Sequence, residues 1–331
     1  MTAGILVIKL GALGDFVQAT GPFAAIRAHH PGARVTLLTT PPFAAFAAAA
    51  PWFDAVWIDR RPRLWQVGRL LDLRAQLRGG GFGRVYDLQT SDRSGWYFRL
   101  IGGGVEWSGI APGCSHPHAN PRRDSMHTIE RQAEQLAMAG ITAVPAPDLS
   151  WVSADVARFG LAPPFAVLCP GGAAHRPAKR WPAAAFARLA GRLAARGVVP
   201  VLVGTASEAA LLAEIAAACP AARNLAGDTD LLDLVALGRV AAAAVGNDTG
   251  PMHLAASVGV PCVIAFSAHG LPGVWFPAGG QHQIVYHQPE CFNCGLEVCI
   301  VMEKKCMLSI TVDEMAQAVG RVLKRPVLTK S

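Results

Sequence analysis

Short apolar runs alternate with Ala-rich stretches twice along this chain, and that alternation limits its fold more than any other feature. Ile5–Leu10, Val35–Thr39, Ala55–Ile58 and Val85–Leu88 read as strands, with a helix expected over Phe16–His29. The pattern halts at Pro163-Pro164. It restarts with Ala166–Cys169, Val198–Val203, Ala241–Val245 and Val260–Phe266, interleaved with helices over Ala183–Arg196 and Ser207–Ala218. Strands this short and apolar are buried on both faces, which calls for parallel sheets with helices on each side. A length of 331 residues suits two such doubly wound α/β domains, expected over 1–158 and 159–331. The last helix, Val312–Leu323, has no strand after it and is expected to pack back on the first domain.

In open sheets of this kind ligands gather beyond the carboxyl ends of the strands, and two facing domains make the cleft between them the natural site. Three segments leave a strand for a Gly- or Pro-rich loop there. The first is Lys9-Leu10-Gly11-Ala12-Leu13-Gly14-Asp15. Its Gly-x-x-Gly spacing lacks the dinucleotide pattern, and no acid closes the second strand, so a nicotinamide-dependent dehydrogenase is not indicated. Asp15 has two readings: an N-cap of the helix that follows, or a carboxylate aimed into the cleft as a general base, tuned by burial and Lys9.

The second segment runs from Cys169 to Pro182, where Lys179 offers a compact charge for a diphosphate and Arg180 could pair locally. The third, Val245–Ala256, reads as a strand end, a turn and a helix start. Asp248 or Thr249 can cap that helix, and Pro251 suits its first turn. Its free N–H groups and positive dipole end attract a phosphate. Asp248 can also accept two sugar hydroxyls at once, and His253 either packs or catalyses.

Hydrophobic residues make up 52% of the chain and charged ones 16%, enough for buried sheets and incompatible with a disordered chain. No uninterrupted apolar stretch reaches the ~18 residues that span a bilayer. The first apolar run contains Lys9 and precedes no small-residue cleavage site, so a cytoplasmic protein is expected. The net charge of +7 is concentrated locally at Arg60, Arg61 and Arg63, at Arg93 and Arg99, and at Arg122 and Arg123. That excess reads either as a preference for an acidic partner or as a compositional habit. Nothing in it has the form of a nucleic-acid motif. Cys291, Cys294, Cys299 and Cys306 form a C-x2-C-x4-C-x6-C run. Such a run fits a tetrahedral structural zinc or iron site, free thiols, or disulfides.

Taken in order, Lys9–Asp15, Asp87-Leu88-Gln89 with Arg93-Ser94, Lys179-Arg180-Trp181-Pro182, Gly204–Glu208 and Asn247–Ala255 resemble the glycosyltransferase family 9 heptosyltransferases over essentially the whole chain. The resemblance implies a GT-B fold, an ADP-heptose donor, inversion at the anomeric carbon and no catalytic metal. It implies Asp15 as the base and Lys179 beside the donor phosphates or sugar. Asp248 would hold heptose hydroxyls, Thr249 and Gly250 the diphosphate, and Glu208 the ribose; Gly14 and His253 complete the donor side, His253 as helix support. The acceptor would be a lipopolysaccharide inner-core or related glycan, met by Arg60, Arg61 and Arg93, with peripheral contact to the inner membrane surface. Ala173-Ala174-His175 departs from the hydroxyl residues of some relatives' phosphate loop. Two other readings remain: a nucleotide-sugar epimerase of the same fold, and a non-catalytic nucleotide-sugar-binding protein.

Overall fold

The structure, a computed structural model, describes residues 3–63, 65–173, 176–268, 281–296, 299 and 305–323. The chain divides into two compact units, Met1–Trp151 and Val152–Ser331. The division precedes the proline pair because the segment after Trp151 already belongs to the second unit. Phe159 is buried in that unit's core, and Arg239 Nη1 donates to the Val152 carbonyl.

The first unit holds a six-stranded sheet of β1 (Gly4–Ile8), β2 (Val35–Thr39), β3 (Ala55–Ile58), β4 (Phe82–Asp87), β5 (Glu106–Gly109) and β6 (His116–Pro117). All pairs are parallel and the order is β3-β2-β1-β4-β5-β6. The direction of winding therefore reverses between β1 and β4, and the loops leaving their carboxyl ends diverge to opposite faces, opening a ligand crevice. The helices are α1 (Leu13–Gln18), α2 (Thr20–His29), α3 (Ala44–Ala49), α4 (Val67–Gly79), α5 (Asp92–Ile101) and α6 (Thr128–Met138). Leu6, Ile8, Val85, Tyr97 and Trp107 centre one of its apolar layers. The single helix expected over Phe16–His29 is broken at Ala19. Pro22 has no N–H to offer the Gln18 carbonyl, so the ladder cannot continue through that turn.

The second unit repeats the plan with β7 (Phe165–Cys169), β8 (Val199–Gly204), β9 (Arg223–Ala226), β10 (Ala243–Asn247), β11 (Cys262–Ala265) and β12 (Gln283–Val285). Its parallel order, β12-β11-β10-β7-β8-β9, reverses between β7 and β10. The helices are α7 (Ala183–Ala194), α8 (Ala209–Ala218), α9 (Leu231–Val240), α10 (Gly250–Ser257), α11 (Lys305–Leu308) and α12 (Val312–Leu323). Helix α12 differs from expectation. Its apolar stripe of Met315, Ala318, Val319 and Val322 is buried in the second unit's own core with Leu189 and Leu193 of α7 and Val263 and Ala265 of β11. Residues at that spacing form one helix face, and here that face is already covered. Among the described residues no helix is long and apolar enough to cross a membrane.

Candidate active site

In the first unit, the loops after β1 and β4 are tied together by buried polar side chains. Lys9 is buried, and its Nζ donates to the Leu88 carbonyl at 3.0 Å. Gln89 Oε1 accepts the Leu10 N–H at 2.8 Å. Asp87, fully buried at the end of β4, accepts the backbone N–H groups of Gln89 and Thr90 on Oδ1, while Oδ2 has no hydrogen-bond partner among the described residues. Burial pushes its carboxyl up to about 6 despite those hydrogen bonds and the nearby Lys9 charge, and burial draws the Lys9 ammonium below its usual range.

Asp15 lies in the first turn of α1 but does not cap it. The N-cap is Ala12, which makes no side-chain bond, so the capping role is replaced by a carboxylate near the positive end of the helix. Asp15 is half-buried, and among the described residues no hydrogen-bond donor engages its carboxylate. Lys9 and Arg131 lie within electrostatic reach. Gly14 is buried immediately before it. Gly11 has φ +129°, and a Cβ there would come within 3.1 Å of the Phe43 ring, so this turn accepts only glycine without adjustment.

Of the three arginines expected at the acceptor side, two are anchored to this edge. Arg61 donates through Nη2 to the Leu10 carbonyl at 3.0 Å, and its backbone N–H reaches Asp59 Oδ1. Arg93 Nη1 reaches the Pro62 carbonyl and the Tyr97 hydroxyl, which itself donates to Asp59 Oδ2 at 2.6 Å. Arg60 is exposed. The buried Asp59 carboxylate thus orders the strand-end segment that carries the arginines.

In the second unit, the segments after β7, β8 and β10 converge. Lys179 Nζ stands 3.7 Å from Asp248 Oδ2, and His253 Nε2 3.8 Å from Asp248 Oδ1. Asp248 therefore sits between two potential cations with its side chain mostly buried. Thr249 is the N-cap of α10, yet its hydroxyl donates to the Asn247 carbonyl, so its own side chain does not cap this helix start. An uncapped start directs backbone N–H groups and the positive dipole end outward. Gly250 is the first residue of the helix, and Pro251 in its first turn loses nothing by lacking an N–H.

One positioning residue in this unit was not anticipated, Asn247, while Arg180 pairs locally as its place beside Lys179 allowed. Asn247 holds the Trp181 N–H and the carbonyls of Pro170 and Gly171. Arg180 donates to the Gly172 carbonyl, which leaves Lys179 as the cation of the pair facing Asp248. Their signal in the sequence is only adjacency to the polar residues of each loop. Glu208 accepts the Gly172 N–H on Oε1, and the Thr205 N–H and hydroxyl on Oε2. It therefore clamps the β7 loop to the start of α8 through a capping box. A Cβ on Gly171 would lie 1.9 Å from Glu208 Oε1, so the clamp requires glycine there. His175, at the departure from the relatives' loop, lies outside the described residues.

Of the three readings of the cysteine run, the disulfide is not formed by Cys291, Cys294 or Cys306. Cys294 is exposed, and the Cys306 thiol is raised by burial and by the nearby Cys291 and Cys299. Among the described residues no three His, Cys, Asp or Glu side chains converge as metal ligands. Sequence proximity does not by itself aim four sulfurs at one point.

Comparison with known proteins agrees with this architecture. Lipopolysaccharide heptosyltransferase 2 of Salmonella typhimurium is 28% identical over 290 residues, 79% of this chain and 82% of that one. Lipopolysaccharide heptosyltransferase 2 of Escherichia coli is 41% identical over 111 residues, 31% of each chain. The solved structure of E. coli ADP-heptose lps heptosyltransferase II superposes with a TM-score of 0.76 at 23% identity, covering 97% of this chain and 98% of that one. That likeness establishes the fold as GT-B. Residues 70–304 match the family described as glycosyltransferase family 9 (heptosyltransferase), a span that takes in the sheet edges carrying Lys179, Glu208 and Asp248. With two sheets wound alike and a family match across most of its length, the chain belongs to glycosyltransferase family 9 and is a glycosyltransferase.

Proposed function

We propose that the protein is an inverting heptosyltransferase that moves a heptose from ADP-heptose to a lipopolysaccharide inner-core or related glycan acceptor. The observation that carries this reading is the pairing of Lys179 and Asp248 beside the uncapped start of α10. A cation, a hydroxyl acceptor and free N–H groups together match a sugar linked to a diphosphate. The names of the relatives point to ADP-heptose and to lipopolysaccharide. A lipid-linked acceptor fits an enzyme of the cytoplasm, peripheral to the inner membrane.

In this reading Asp248 accepts heptose hydroxyls, while Lys179 and the backbone N–H groups of Thr249 and Gly250 receive the diphosphate. Those groups stabilise the negative charge that grows on ADP as the bond to the anomeric carbon breaks. Asp15 takes the proton from the acceptor hydroxyl as its oxygen attacks that carbon from the opposite face, which inverts the centre. Gly14 leaves the turn beside Asp15 without a side chain, and Arg60, Arg61 and Arg93 meet the acidic acceptor. His253 supports the helix and Asp248. Glu208 meets the ribose only with lone pairs that its loop contacts leave.

Asp15→Asn tests the base. Turnover should fall by ~10²- to 10⁴-fold, since base catalysis contributes about that much. Calorimetric affinity for ADP should stay unchanged. Full turnover in this variant would rule the role out, and an isomerised sugar nucleotide formed from the donor alone would favour the epimerase reading.

A further inference from the structure

The first unit has a surface that its own core does not explain. Helix α4 buries only Leu73 and Leu77 fully, and its other side leaves Val67 61% and Leu71 55% exposed. These two are one turn apart and share a face. Trp65, just before the helix, is 72% exposed, with the Arg63 guanidinium over its ring at 5.0 Å. Trp96, on the neighbouring helix α5, is 38% exposed. Along the same segment Arg60, Arg61, Arg63, Arg69, Arg74, Arg78 and Arg99 are exposed, against two exposed acids, Asp72 and Asp92.

We propose that this α4 face docks the protein on an anionic lipid bilayer. Tryptophan and branched aliphatic side chains enter the interfacial layer, and the stems of Arg63, Arg69 and Arg74 lie along the apolar surface while their guanidinium groups hold headgroup phosphates. The charge asymmetry selects the partner: a neutral apolar partner would leave at least five cations unmatched, whereas an anionic membrane pairs them. The surface is also continuous with the loop that carries Asp15, because Arg61 donates to the Leu10 carbonyl. Docking would bring that loop to the height at which a lipid-borne sugar projects from the headgroups. This docking rests on the membrane-peripheral setting proposed above and not on the identity of the donor.

Flotation of the full chain with phosphatidylcholine vesicles, with and without about one-third phosphatidylglycerol, tests it. Binding should require the anionic lipid and decline steeply between low salt and 0.5 M salt, where the screening length becomes only a few ångströms, about 4 Å. Trp65→Ser with Leu71→Ser, and separately Arg69→Glu with Arg74→Glu, should each weaken binding at least ~10-fold, as expected for loss of apolar insertion or of basic headgroup contacts. Turnover on a delipidated acceptor should remain, since none of these residues is assigned to the site. Equal binding to neutral vesicles, no binding at all, or unchanged binding by both folded variants would overturn the proposal. Self-association of the wild type that the Trp65/Leu71 variant abolishes would assign the face to a second copy instead. Circular dichroism and thermal melting of the variants separate a lost surface from a lost fold.

Discussion

The side-chain carbonyl of Asn247 accepts the Trp181 N–H at 2.8 Å, while its amide donates to the carbonyls of Pro170 and Gly171. One buried residue at the end of β10 thereby fixes the loop that follows β7, and with it the approach of Lys179 to Asp248. Asn247→Ala would leave three buried backbone groups without a partner. A loss of about 3 kcal/mol in urea unfolding is expected, with weaker ADP binding. An unchanged unfolding midpoint would mean that the amide does not bridge the two loops.

Gly171→Ala should destabilise through a direct clash with Glu208, by about 1–3 kcal/mol. Adding Glu208→Ala removes the clashing carboxylate. The double variant should then lose less than the sum of the two single variants, because the pair is in contact. Strict additivity in a double-mutant cycle would count against the clamp.

Asp87 makes stability fall as pH rises through its range. Its folded pKa of about 6 lies above its unfolded value, so between the two the native state holds a proton that the unfolded chain has released. Stability from this group is greatest below about pH 4, declines toward pH 6 and stays low above it, a change of roughly 3 kcal/mol. His30 acts in the opposite sense: burial lowers it to about 4, so its contribution is lost as pH falls from about 6.5. The Asp87 term is therefore read as the difference between wild type and Asp87→Asn. Parallel pH curves for the two proteins would show that Asp87 is not the buried acid.

Asp230 caps α9 by accepting the Asp233 N–H at 2.8 Å, and Asp233 returns a bond to the Asp230 N–H. Asp230→Ala should cost about 1 kcal/mol, whereas Asp230→Ser should retain most of it. Chemical denaturation of both variants checks this. Equal losses would mean that the carboxylate acts through charge and not as a cap.

Much of the second sheet was legible in the chain, because β7, β8, β10 and β11 are buried on both faces and their apolar runs are almost uninterrupted. The short outer strands β5, β6, β9 and β12 were not. They carry residues such as Glu106, His116, Arg223 and Gln283, and local composition cannot mark a short polar strand that is held in place by its neighbours in the sheet. The loops of the site were legible through glycine, proline and the polar residues at strand ends. What each polar residue does was less so. Thr249 and Asp15 have the composition of helix caps, yet neither side chain caps, while Glu208, expected at the ribose, clamps two loops of its own chain.

By itself the sequence determined two doubly wound α/β units and the places where small and charged residues leave their strands, since burial periodicity and backbone permissiveness are local properties. Tertiary structure alone decided that α12 completes the second core, that Asn247 joins two loops, and that Glu208 clamps the loop after β7. Each of those depends on the direction of a side chain across a gap between elements distant in sequence. Packing sets that direction, and spacing along the chain does not record it.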